Sequence, residues 1–272
     1  MNTDPRSRPP PRAVVWYRAT WFELLQFAVL LALTLALVLH GAASMGYEWK
    51  WHKVPQYIYR VVDGELIWGP LMKGAFVTLD IAWKAGLLAM AIGLVAALLR
   101  LSGTIVGSAI AWIYIELIRN TPILVQMLIF YFIIAAVLGI PRQWAGILCL
   151  AFYEGAFTAE IIRGAIVAVR KGQREAAMSL GFSRFDMYRD IVLPQAVPLM
   201  LPPLGGIVVN LVKHSAIVSV IAVFDLTTEA RTVVSDTFMA FEIWLTTAGM
   251  YLVMTVSLSL GVAWLERRYR MV

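Results

Sequence analysis

Charge is the scarcest commodity in this sequence: Asp, Glu, Lys and Arg make up 15% of its 272 residues, where a water-soluble domain carries roughly 25%. The deficit runs through most of the chain, 60% of which is apolar. With a mean hydropathy of +0.75, a bilayer rather than water is the main solvent. Cysteine is all but missing. Cys149 stands alone inside an apolar run, which excludes an intrachain disulfide and points to a buried structural thiol. No second His or Cys lies at ligand spacing, so no metal site is expected. The chain has no GxxxxGK(S/T) phosphate loop, so ATP hydrolysis is not expected from it. No Ser-His-Asp grouping stands out either, which argues against a membrane enzyme. The N-terminal stretch lacks a small-residue cleavage site and contains Pro9, Pro10 and Pro11. A removable signal peptide is therefore not expected, and a short disordered tail is. The net charge of +6 and pI near 9.5 would suit nucleic acid only on a basic face. Here the bases cluster between apolar runs, so membrane topology is the better explanation and no nucleic-acid partner is expected.

What is abundant is long apolar sequence. A hydrocarbon core about 30 Å thick takes roughly 20 apolar residues per helix, and six segments qualify. They are Trp21 to Ala43, Gly74 to Leu99, Val106 to Gly139, Trp144 to Val167, Gln195 to Val212 and Phe241 to Leu265. The third is too long for one straight span and is interrupted at Arg119, Asn120, Thr121 and Pro122, so it reads as a short helix, a break and an uncharged run. Asp80 and Lys84 on the second, four apart, can pair across one turn. The fifth carries Pro194, Pro198, Pro202 and Pro203, three of them along one side, which suits either a bent gate helix or static bending.

Orientation follows from the Lys and Arg asymmetry of cytoplasmic loops. Arg6, Arg8, Arg12 and Arg18 face Asp4 alone and put the N-terminus inside; six spans return the C-terminus inside, in agreement with Arg267, Arg268 and Arg270. The basic loop Arg170 to Asp190 falls inside as well, while Asp225, Glu229 and Asp236 outweigh Arg231 in a loop that falls outside. The segment Ser44 to Lys73 is ambiguous in charge, and its aromatics Trp49, Trp51, Tyr57 and Tyr59 suit an interface.

The cytoplasmic loop KGQREAAMSLGFSRFDMYRDIVLPQA is built too rigidly for a mere connector. Lys171 to Leu180 is rich in helix formers, Gly181 is placed as a C-terminal cap with positive φ, and Ser183 with Asp186 resembles a capping box. Pro194 then stands where a first helical position tolerates it. These residues resemble the permease subunits of binding-protein-dependent ABC importers. The signature of that family is Glu-Ala-Ala, three residues, Gly, nine residues, Ile, one residue, Leu-Pro. It is met here by Glu175, Ala176, Ala177, Gly181, Ile191, Leu193 and Pro194. The polar amino acid branch is further suggested by Arg119-Asn120-Thr121-Pro122-Ile123-Leu124-Val125-Gln126, by Ala159-Glu160-Ile161-Ile162-Arg163-Gly164, by Gly172-Gln173, and by Leu193-Pro194-Gln195-Ala196. The likeness covers roughly Gly74 to Arg268, with Phe157 where a tyrosine is frequent and the first span added to a five-helix core.

The resemblance implies an all-α polytopic bundle of the type I ABC importer kind: a tail over 1–20, an added helix and outer loop over 21–73, and a permease domain over 74–268 with its coupling loop at 170–194. It implies a separate ABC ATPase subunit that holds ATP and Mg, with no cofactor in this chain. It also implies an extracytoplasmic amino-acid-binding protein, a second permease copy or a paralogue, and a place in the inner membrane of a bacterium. An ATP-independent channel or secondary transporter is the alternative, and it leaves the coupling signature unexplained.

An ionised side chain at a helix centre costs about 2.5 to 3.5 kcal/mol, so each one needs a partner or a task. Arg119 with Asn120 and Gln126 marks the break in the third span; Glu160 and Arg163, three apart, suit an intrahelical pair; Lys213 and His214 end the fifth span at a second discontinuity. Glu154 is about the eleventh residue of its span, about 15 Å in and so near the midplane. It reads either as a path-facing group that attracts a substrate's ammonium, with Arg119 or Lys213 offering charge to the substrate's carboxylate, or as a protonated or paired structural Glu.

Overall fold

The computed structural model describes residues 20–269. The expectations for the tail, for Arg6, Arg8, Arg12 and Arg18, and for Arg270 lie outside the described residues. The chain divides into two units, Met1–Trp49 and Lys50–Val272. In the first, helix α1 (Thr20–Ser44) is apolar on every side. Such a helix has no preferred face to bury, as suits a span in lipid.

The second unit begins with a 3-10 turn Trp51–Lys53, a short helix α2 (Pro55–Ile58) and a hairpin of β1 (Tyr59–Val62) and β2 (Glu65–Trp68). This hairpin is a small addition to an otherwise helical fold. Helix α3 (Pro70–Leu101) follows after Gly69. Next comes α4 (Ile105–Arg119), then α5 (Ile123–Ile129), a π segment Phe130–Ala135 and α6 (Ala136–Leu138). The pair is bent by 109° at the break, where the sequence places Asn120 to Pro122. Helix α7 (Arg142–Ala168) and the loop helices α8 (Lys171–Ser179) and α9 (Arg184–Met187) come next. A π segment, Tyr188–Val192, joins α9 to α10 (Leu193–His214), which runs as helix through Pro198, Pro202 and Pro203. The fifth span thus starts earlier than Pro194. A 3-10 segment Ser215–Ile221, then α11 (Leu226–Thr237) and α12 (Ala240–Tyr269), complete the described chain. Among the described residues, five helices are long and apolar enough to cross a membrane, or six if the bent pair is one span.

Small residues decide where these helices meet, because van der Waals contact and not exclusion from water drives association in lipid. A Cβ at Gly93 of α3 would come within 2.6 Å of Thr158 Cβ and 2.9 Å of the Gly155 carbonyl oxygen on α7. Ala85, Ala89, Ala97, Ala151, Ala156 and Ala159 are buried on the same two helices. At the other end of α3, Leu71 packs with Leu226, Met239 and Ile243. There the buried Asp225 carboxylate caps α11, accepting from Thr228 N at 2.9 Å, Thr227 N at 3.2 Å and Thr228 Oγ1 at 2.8 Å.

Candidate functional site

One side of α7 carries Tyr153 and Glu160 and is its polar face. Tyr153, Phe157, Glu160 and Gly164 follow the i, i+4, i+7, i+11 spacing that aligns residues along a helix, and all four keep some exposure. Arg119, exposed at the end of α4, sits with its guanidinium 5.5 Å from the centre of the Phe157 ring. One turn on, Arg163 Nε and Nη2 donate to the two Glu160 oxygens at 2.9 and 2.7 Å, the intrahelical pair anticipated from their spacing.

Glu154 is 2% exposed, and its Oε1 shares a hydrogen bond of 2.6 Å with His214 Nδ1. The imidazole meets the Tyr153 ring edge-on, 5.7 Å between centres, and is itself half-buried. The group of this pair that looks toward open space is therefore His214, with the carboxylate behind it. Lys213, next in sequence, lines a separate cleft of about 360 Å³ with Asn210, Ser259 and Glu266, between α10 and α12. The structure thus brings Glu154 to His214, a pairing that the sequence reading did not name. Tyr153 went unnoticed in the sequence, although its spacing to Phe157 and Glu160 was legible.

Asn120 and Gln126 hold the break itself. Asn120 Nδ2 donates to the Glu116 carbonyl at 2.8 Å and to Glu116 Oε2 at 2.9 Å. Gln126 Nε2 donates to the Ile118 and Thr121 carbonyls at 2.8 and 3.0 Å and to Thr121 Oγ1 at 2.6 Å. The Ile118 and Thr121 carbonyls are acceptors at the break in the helix, and in a bilayer each unpaired one would be costly.

The second constellation is the loop after α7. Helix α8 ends on Gly181 with φ of +83°, the left-handed turn that glycine adopts without penalty. Phe182 N donates to the Ala177 carbonyl at 3.1 Å, closing the turn. Ser183 Oγ accepts from Asp186 N at 3.2 Å and donates to Asp186 Oδ2 at 2.6 Å, which starts α9. Ala177 is buried against Ile166, Met187 and Val192, fixing the elbow to the bundle, while Gly172, Glu175 and Ala176 remain exposed. Glu175 pairs with Lys171 at 3.2 Å, and Met178, Leu180 and Phe185 expose 54%, 77% and 71% of their surface around the elbow. Ile191 lies in the π segment, with Leu193 and Pro194 opening α10.

Known proteins are similar to this chain over most of its length. The model of the binding-protein-dependent transport system inner membrane component matches residues 89–271. The glutamine transport system permease protein GlnP of Escherichia coli K12 is 36% identical over 214 residues, 76% of this chain and 98% of that protein. The probable glutamine ABC transporter permease protein GlnM of Bacillus subtilis 168 is 41% identical over 181 residues, 65% of this chain and 82% of that one. Among solved structures, an amino acid ABC transporter crystallised with histidines superposes with a TM-score of 0.69 at 39% identity, covering 73% of this chain and 94% of that one. The inward-facing MetNI methionine ABC transporter shares the fold at 19% identity, with a TM-score of 0.62 over 74% of this chain and 96% of that one. With the helix, glycine elbow and second helix in place and the model matched over most of the bundle, this chain belongs to the inner membrane components of binding-protein-dependent transport systems.

Proposed function

We propose that this chain is the membrane-spanning subunit of an ABC importer for polar amino acids, coupled through α8 and the Gly181 elbow to a separate ATPase subunit. The observation that carries the reading is the complete signature folded into a rigid, exposed elbow, rimmed by Met178, Leu180 and Phe185. An apolar knob of that kind on a cytoplasmic loop suits a cleft on a partner protein. ATP and Mg reside on that ATPase, whose closure tilts α8. Because α8 is tied through Ala177, Met187 and Val192 to the base of α7 and α10, its displacement is transmitted to the two helices that hold the polar face.

A soluble amino-acid-binding protein delivers substrate on the outer side, and a second copy or a paralogue completes the pathway. Both termini and the elbow face the cytoplasm in this reading, supported by Arg267 and Arg268 at the end of α12 and by the basic loop. The permease domain is taken as 74–268. Along the path, the half-buried His214, held by Glu154, and the exposed Arg119, held over Phe157, are the polar groups that would meet a zwitterion. Glu160 and Arg163 satisfy each other, and Lys213 serves the neighbouring cleft.

Gly181→Asp and Glu175→Lys test the coupling. Both variants are expected to insert normally and to lose uptake together with binding-protein-stimulated ATP hydrolysis in proteoliposomes. Wild-type stimulated hydrolysis in both would overturn the reading and favour a transporter that works without an ATPase.

A further inference from the structure

The hairpin β1–β2 is not needed to hold the polar face or the elbow, and it has two unlike faces. Its strands pair Tyr59 with Trp68, Arg60 with Ile67, Val61 with Leu66 and Val62 with Glu65. Directly opposed residues share a face and successive pairs alternate. One face is therefore Tyr59, Val61, Leu66 and Trp68, apolar or aromatic throughout. The other mixes Val62 and Ile67 with Arg60 and Glu65. The four side chains of the first face expose 46%, 64%, 53% and 42% of their surface.

The hairpin cannot swing freely. Gly69 N donates to the Ile58 carbonyl at 2.8 Å, and a Cβ at Gly69 would lie 2.3 Å from the Tyr57 carbonyl. Val54, Tyr57 and Ile58 pack into the cluster around Leu71. The apolar face is thus held at a fixed height at the start of α3. That helix has 32 residues and is about 48 Å long at about 1.5 Å per residue, some 18 Å more than a hydrocarbon core of about 30 Å. Shared between the two ends, the excess brings Phe76, about 9 Å along, to the hydrocarbon boundary. Trp68 of the hairpin stacks edge-on against Phe76, 5.7 Å between ring centres. Phe76 heads a stripe of exposed apolar residues on α3, continued by Leu79, Trp83, Leu87, Met90 and Leu94.

We infer that the Tyr59, Val61, Leu66 and Trp68 face of the hairpin lies in the membrane interface, its side chains seated among lipid headgroups and upper acyl chains beside the start of α3. The occupant is lipid because the face is continuous, through Trp68 and Phe76, with the exposed apolar stripe of a membrane span. Tyr and Trp at the paired ends β1 and β2 are also the side chains that interfaces select. Arg60 and Glu65 on the opposite face then look to water. The hairpin acts as a fixed float that sets the depth of α3.

Spin labels at Val61→Cys and Val62→Cys, in a Cys149→Ala background and in the full complex in phosphatidylethanolamine and phosphatidylglycerol nanodiscs, test this by power saturation. At Val61 oxygen collisions should exceed those with a water-soluble nickel chelate, and at Val62 the order should reverse. Equal nickel access at both positions would mean a hairpin standing in water, and loss of both oxygen and nickel access at Val61 would mean a covering protein. Either result overturns the inference. Leu66→Cys, on the same face, serves as the second reporter and must give the Val61 result. The readout is independent of transport, so it stands or falls separately from the coupling reading.

Discussion

Helix α1 is the more apolar of two long helices and α7 the less apolar, yet 67% of the central stretch of α7 is buried and none of that of α1. In water the order would be reversed. A bilayer rewards apolar surface wherever it lies, so exclusion from solvent cannot select which helix goes inside. What selects α7 is small residues that admit close neighbours, with polar groups that find partners only in the bundle. Gly155 lies so near Tyr114 that an added Cβ would come within 2.9 Å of the hydroxyl. Tyr114 in turn donates to the Phe152 carbonyl at 2.6 Å. In helix α1, the Thr34 hydroxyl bonds back to the Leu30 carbonyl at 2.8 Å within the same helix.

The largest effect should come from spoiling the close approach. Gly93→Val drives a branched side chain into Thr158 and the Gly155 carbonyl, a backbone atom that cannot step aside. Overpacking of this kind costs about 3 kcal/mol, so the variant should fail to accumulate as a monodisperse complex in size-exclusion chromatography. Wild-type yield would break the contrast between α7 and α1.

Asp225→Ala should come next. It removes the cap of α11 and strands the donors of Thr227, Thr228 and Tyr251, a loss of about 2 to 4 kcal/mol from capping plus unsatisfied buried groups. Calorimetry of the purified complex would report it as a lowered melting temperature. Burial pushes the Asp225 carboxyl above its ordinary value, against the lowering by its Thr228, Thr227 and Tyr251 hydrogen bonds. A folded pKa above the unfolded one means that the folded state binds the proton more tightly. Its contribution is complete below the ordinary carboxylate range and is lost as pH rises through the raised value. Asp225→Asn keeps a capping side chain and should flatten that slope.

Glu154→Gln sharpens the comparison without unfolding the protein. The amide preserves shape but leaves His214 without its carboxylate. Uptake should fall steeply while expression and basal ATP hydrolysis persist. Unchanged uptake would assign the pair a purely structural task. The smallest effect belongs to α1, where Leu33→Ala at a 58% exposed position should shift stability within about 0.5 kcal/mol, read as an unchanged melting temperature.

The spans were legible because their lengths are set by bilayer thickness, and the break at Arg119 to Pro122 because proline and polar residues interrupt an apolar run. The elbow was legible because Gly181 and the Ser183 cap act within a few residues of themselves. The hairpin carried a local signal that the sequence reading passed over: Asp63-Gly64, both with positive φ, is a preferred two-residue turn between short β-prone runs. Asp225 likewise announced a helix start in what had been read as a plain outer loop.

By itself, then, the sequence determined the solvent, the number of apolar segments and the shape of the elbow, since each follows from composition or from contacts a few residues long. Tertiary structure alone decided that Glu154 meets His214, sixty residues away in the chain. It alone decided which residues of α7 are buried. A buried charge takes whichever partner the packing of small residues brings within hydrogen-bond reach, and that distance is fixed only when the helices have closed on one another.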